Sequence, residues 1–240
     1  MGAMQLFKPS DLAPPANQPT TEQKSSASQP DSTVPAGFLV ANGHVSNSFM
    51  QEINRDTSIL PSKLLKALSR GGYKIEMSHT VTEAVPAARN EQVRGYAPHS
   101  TWDAVFGMFN RSSHKVVMAE FAQPQSSKDP EHLITLNIPE RRSGILRHEF
   151  GHAVDDYLAN FSHTPEFRQA YDKGKTGLTA AEKSVLWYYL QKGDAGAEET
   201  FAELFASLDQ TACDRNSDEL LHKHFSELSD LIRTKIGSIN

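Results

Sequence analysis

Arg147-His148-Glu149-Phe150-Gly151-His152-Ala153-Val154-Asp155-Asp156 decides the fold, because it contains His-Glu-x-x-His. His148 and His152 are four residues apart, so on an α-helix their imidazoles leave one face and can reach the same ion. Glu149 sits beside the first imidazole and reaches past it toward the water to be activated, where a general base for amide hydrolysis belongs. The pattern predicts a helix that holds one divalent metal, with zinc first among the candidates.

The flanking sequence supports a helix. Ser143 is placed to cap one whose apolar positions Ile145, Leu146, Phe150, Ala153, Val154, Tyr157 and Leu158 cover a broad face. Downstream the periodicity stays helical over 165–171, 179–191, 197–208 and 218–236. The second of these opens on the capping box Thr179-Ala180-Ala181-Glu182, and a break falls at 192–196. Upstream, Phe49, Ile53, Ile59, Leu60, Leu64, Leu65 and Leu68 recur at helical spacing across Pro61, until Gly71-Gly72 ends the run. Residues 73–77, 116–121 and 132–138 read as strands, the last stopped by Pro139, and 80–88 as a short helix broken by Pro86. A small sheet followed by a helical half is an α+β pattern.

The whole chain narrows the classes further. Its 240 residues are 38% hydrophobic and 22% charged, with a net charge of -5 that points to neither nucleic acid nor an anionic membrane surface as partner. The single cysteine, Cys213, excludes a disulfide framework and a cysteine-built zinc cage. No apolar run is long enough to span a bilayer. Residues 5–44 are rich in Pro, Ser, Gln and Thr, with Pro9, Pro14, Pro15, Pro19, Pro30 and Pro35, and offer few large apolar side chains to offset the entropy of ordering. The expected organisation is an arm over 1–45, whose first four residues look like a tag scar, and a domain over 46–240.

A catalytic zinc site takes three protein ligands and leaves one position open. Glu199 and Glu203 are four apart on the helix after the break, so both carboxylates share a face. One can bind the metal while the other accepts a hydrogen bond from a ligand imidazole. Asp156, one turn after His152, falls on the metal face and is a candidate to support a ligand or shape the cleft. His163, His222 and His224 lack partners at ligand spacing, and Cys213 reads as a small apolar residue.

The run 148–157, taken with Glu199-Thr200-Phe201-Ala202-Glu203-Leu204-Phe205, resembles the catalytic domain of anthrax lethal factor and the related bacterial Pro-Pro endopeptidases. The match is dense over 140–210 and looser over 46–139. It implies a zincin-like α+β metallopeptidase of the gluzincin type, with Zn2+ held by His148, His152 and Glu199, Glu203 in support and Glu149 as base. It also implies an oxyanion-stabilising tyrosine before the ligand glutamate. Tyr189 is the choice and Tyr188 the fallback, both farther upstream than the family's spacing, with 192–197 apparently inserted. The resemblance implies a protein or peptide substrate containing proline and a secreted protein; the scar-like start points to a signal peptide cut away from this sequence, and a monomer is expected. The strand over 132–138 is the expected substrate edge, with Ser100-Thr101-Trp102 and Gln123-Pro124 at the rim.

Overall fold

The computed structural model describes residues 12–13, 34–93, 101–123, 133–136, 139–208 and 215–239, and its first two strands lie inside the expected arm. These are β1 (Leu12–Ala13) and β2 (Leu39–Ala41), followed by α1 (Asn47–Ser58), α2 (Ser62–Arg70), β3 (Lys74–Ser78) and α3 (Val81–Ala84). Next come β4 (Gly107–Asn110), β5 (Lys115–Ala119), β6 (Thr135–Leu136) and α4 (Pro139–Tyr157). The helical half is α5 (Pro165–Thr176), α6 (Ala180–Val185), α7 (Ala195–Ser207), α8 (Arg215–His224) and α9 (Ser226–Gly237).

Four strands form a sheet in the order β2-β3-β5-β4, in which β2, β3 and β5 run parallel and β4 antiparallel to β5. Val116-Val117-Met118-Ala119 is apolar without alternation because both faces of β5 are buried. Val116 and Met118 join Ile75 and Met77 in the main core with α4, whereas Val117 and Ala119 pack with Val81, Val93 and Val105 on the opposite face. Trp102 packs against that second cluster, on the sheet face turned away from α4 rather than at a cleft rim. Ser100, Pro124 and Cys213 lie outside the described residues, as does most of the arm.

Val34 and Phe38, inside the arm expected over 1–45, already belong to the core. Phe38 is 1% exposed and meets Phe150 of α4 edge-on, centroids 6.4 Å apart, while Leu39 pairs with Ile75. Burying one such ring is favourable by about 1.5–3 kcal/mol. The composition of 1–45 as a whole hid this short run, Phe38-Leu39-Val40.

α4 opens at Pro139, so Ser143 lies inside it rather than capping it. Proline's fixed φ suits a first helical turn. Arg142 of that opening stretch is buried and donates to Glu52 Oε2 at 2.6 Å. Leu146, Phe150 and Val154 are at most 1% exposed, and they seat α4 between the sheet and α7. The backbones of α4 and α7 approach so closely at Gly151 that a Cβ there would lie 2.8 Å from both Ala202 Cα and Ala202 O. The helix expected over 179–191 stops at Val185 and gives way to turns. Among these turns the Tyr189 carbonyl accepts from Tyr171 Oη at 2.6 Å and Thr200 Oγ1 at 3.2 Å. The helix expected over 218–236 breaks at Phe225, which is buried and stacks on Tyr171.

The strand expected over 132–138 is β6, and it lies apart from the four-stranded sheet. On one side Ile134 exchanges two hydrogen bonds with Ala122, at 2.8 and 2.9 Å. The other edge, expected to take substrate, is paired antiparallel by β1, with Leu12 opposite Leu136 and Ala13 opposite Thr135.

Candidate metal centre

α4 and α7 together build the site. His148 and His152 leave the same side of α4, their rings 4.9 Å apart and nearly perpendicular. α7 crosses them at the Gly151–Ala202 contact, which brings Glu199 and Glu203 over the imidazoles. Glu199 Oε2 is 3.1 Å from His148 Nε2 and 3.4 Å from His152 Nε2. Ligand atoms of His148, His152 and Glu199 all fall within 4.8 Å of one another. For comparison, ligands at about 2.05 Å on a tetrahedral zinc are separated by about 3.3 Å. Two imidazole nitrogens and one carboxylate at this spacing fit such an ion.

Glu203 takes up the other nitrogen of His148, with Oε2 2.8 Å from Nδ1. A carboxylate there selects the tautomer that keeps Nε2 free to coordinate. Burial draws the His148 pKa down, but hydrogen bonds and attraction from Glu199 and Glu203 outweigh it, and the imidazolium is held well above its ordinary range. Burial would raise Glu199, yet His152 and His148 overcome it and hold this carboxyl well below its ordinary value. The cluster therefore keeps a compact negative charge that a cation can replace the protons to neutralise.

Glu149 lies between this cluster and the sheet, close enough to His148, His152 and Glu199 to feel their charges. Its side chain packs on Gly107 of β4, where an added Cβ would lie 2.9 Å from Glu149 Cγ and 2.5 Å from Ile145 Cγ2. The Phe109 backbone N–H donates to its carboxylate, and burial raises its pKa. The strand beside the base is thus β4, at the end of the sheet order among the described residues. The sequence gives little sign of it, because Gly107-Met108-Phe109-Asn110 has no β-branched residue and opens on glycine.

Asp156 accepts from Tyr73 Oη at 2.7 Å and pairs with Arg111 Nε at 3.1 Å, and these partners tie the end of α4 to the β4–β5 hairpin. Arg111 also lies 3.7 Å from Glu198, beside the candidate ligand, and His163 Nε2 is 2.9 Å from the same carboxylate. Spacing along the chain could not reveal this cluster, since its members come from five separate segments. Tyr189 is 1% exposed and Tyr188 9%, their rings edge to face at 5.5 Å. Asp155 is buried under the turn that follows α4, where it accepts from Ser162 N at 2.8 Å and Ser162 Oγ at 2.6 Å.

A metal-helix motif packed on a mixed sheet and crossed by a glutamate helix is a zincin-like fold, the architecture of metalloproteases. Residues 29–217 match the family model described as anthrax toxin lethal factor, N- and C-terminal domain, and the chain belongs to that family. Its fold is similar to that of the Pro-Pro endopeptidase (PPEP-2) from Paenibacillus alvei. That likeness has a TM-score of 0.52 at 22% identity and covers 82% of this chain and 96% of that one. Comparison with curated proteins found no match.

Proposed function

We propose that this chain is a zinc-dependent endopeptidase of the gluzincin type that cleaves extended, proline-containing peptides. The observation that carries the reading is the convergence of His148, His152 and Glu199 within 4.8 Å, with Glu149 next to the first of them. Zinc, when bound, supplies Lewis acidity toward the scissile carbonyl and makes water acidic near neutrality. Glu149 takes the proton of the attacking water and returns it to the leaving nitrogen. Its raised pKa suits both halves of that exchange. His148 is oriented by Glu203. Tyr189 stabilises the oxyanion in this proposal, with Tyr188, the more exposed of the two, as the alternative. An extended peptide adds to the outer edge of β4, next to the base.

Proline in the substrate is supported by the likeness to a protein named for Pro-Pro cleavage. Membership of a toxin family supports action outside the producing cell, and no helix among the described residues is long and apolar enough to cross a membrane. The test is digestion of a peptide library by the zinc-loaded chain, read by mass spectrometry beside Glu149→Gln. We expect cleavage within a narrow motif by the wild type and zinc retention without cleavage by the variant. No cleavage by the wild type overturns the function, and equal cleavage by the variant overturns the base.

A further inference from the structure

Tyr189 lies in the turns between α6 and α7, and Glu199 follows ten positions later inside α7. Turns have no hydrogen-bond ladder of their own, so the placement of Tyr189 against the glutamate depends on individual contacts. α5 supplies them. Tyr171 Oη donates to the Tyr189 carbonyl at 2.6 Å, and burial pushes this hydroxyl up to about 12, so it stays a donor across the neutral range. Thr200 Oγ1 also reaches that carbonyl, at 3.2 Å, but lies closer to Gly196 O, at 2.7 Å. A hydroxyl has one proton, and the shorter bond to the carbonyl one turn back claims it. Of the two donors Tyr171 is therefore the stronger. Its ring is held in place, stacked on Phe225 at 5.7 Å and with Lys175 Nζ 4.2 Å from its centroid. One turn earlier on the same face, Arg168 donates to Gly193 O at 3.1 Å and pairs with Asp194, which steadies the rest of the link. The start of α7 presses into this contact, since a Cβ on Gly196 would lie 2.6 Å from Gln191 O and 2.8 Å from Tyr189 O.

We infer that Tyr171 is a positioning residue: through the Tyr189 carbonyl it sets where Tyr189 stands relative to Glu199, with Arg168 steadying the link between them. The inference rests on the reading of Tyr189 as the side chain that stabilises the oxyanion. Tyr171 is 1% exposed, so it acts through Tyr189 rather than on substrate. Thr200, the residue after the candidate ligand, meets the same carbonyl, so one backbone oxygen joins α5, the turn and α7. Oxyanion stabilisation needs a donor fixed in place before the charge develops. Slack in the main chain that carries Tyr189 should therefore cost rate, while binding of substrate and zinc in the ground state is spared.

The test is Tyr171→Phe in the full zinc-loaded chain, which keeps the ring and removes the donor. With a peptide that the wild type cleaves, kcat should fall by about tenfold while KM and zinc affinity stay unchanged. Tyr189→Phe should cost more, and Tyr171→Phe should cost nothing further when added to it, because both act through one hydroxyl. Losses that multiply in the double variant would show Tyr171 acting through general packing, and would overturn the inference. Full kcat in either single variant overturns it too and leaves the endopeptidase reading standing. Amide hydrogen exchange gives a readout independent of activity. Tyr189 and Leu190, whose N–H groups both close onto Leu186 O, should exchange faster in Tyr171→Phe while α4 exchanges as in the wild type. Equal exchange at those two amides overturns the inference. If Tyr171→Phe does not fold, Arg168→Gln decides: a smaller kcat loss that vanishes beside Tyr189→Phe upholds the inference, and full kcat overturns it. If the wild type cleaves no peptide, the proposed function fails, and the exchange measurement alone decides whether Tyr171 holds Tyr189.

Discussion

In the proposed metal site, Glu203 acts on the ion through His148 without touching it. It lies 2.8 Å from His148 Nδ1 and is almost wholly buried. Glu203→Gln keeps the shape and removes the charge, so zinc affinity should fall by about 10–100-fold, measured by competition with a chelator. Equal affinity in wild type and variant would show that the contact does not orient the ring. At this scale the sequence was informative wherever chemistry dictates spacing. His148, His152, Glu199 and Glu203 sit at helical intervals, and the structure brings these four together. It was silent on Tyr73, Arg111 and Gly107, whose roles come from contacts across long stretches of chain. Asp156 meets Tyr73, Arg111 and His114, a placement that a helical wheel cannot foresee.

The packing of α4 against α7 sets the separation of the ligands. Gly151 stands between the two histidines, and a methyl group there meets the Ala202 backbone, which cannot rotate away as a side chain could. Gly151→Ala should push the helices apart. We expect a loss of about 1–3 kcal/mol in stability, from chemical denaturation, with a larger proportional loss of zinc, since the ligand set straddles the contact. A variant that melts early yet binds zinc as tightly as wild type would separate the contact from the site. The elements themselves were legible to different degrees. α1, α2 and β3 follow amphipathic or alternating patterns with recognisable ends, whereas α5, expected over 165–171, runs on to Thr176 from a start that Thr164 caps by accepting from Phe167 N. β4 was not legible, because what selects a strand at Gly107 is the space required by Ile145 and Glu149 above it. The break at Phe225 was hidden too: the periodicity runs through it, but its ring turns inward onto Tyr171.

Across the whole molecule, the charges at the centre link folding to pH. In the metal-free chain His148 is held above its ordinary 6.5, so its stabilising contribution is complete below that value and is lost as pH rises through the raised one. Burial raises Glu149 above its ordinary 4.5, which costs further stability as pH climbs. Glu199 acts in the opposite sense, since its depressed pKa gives stability above 4.5 that is lost as pH falls. Metal-free protein should therefore melt at progressively lower temperature toward alkaline pH. The zinc-loaded form, its imidazoles already neutral, should be spared that decline and should shed metal toward acid instead. Calorimetry across pH with and without chelator checks this, and a metal-free Tm that is flat from about pH 6 to 9 would count against it. The α+β class was legible from the order of strand-like and helix-like runs, while the core membership of Val34 and Phe38 was hidden by the composition of the stretch around them. The Glu199–His148 contact also spans 51 residues of chain, so the ligand set does not exist until the two halves have docked. Under the proposed function, metal capture is expected to follow that docking. In the proposed zinc form, the metal should therefore leave the refolding rate from denaturant unchanged and slow unfolding alone.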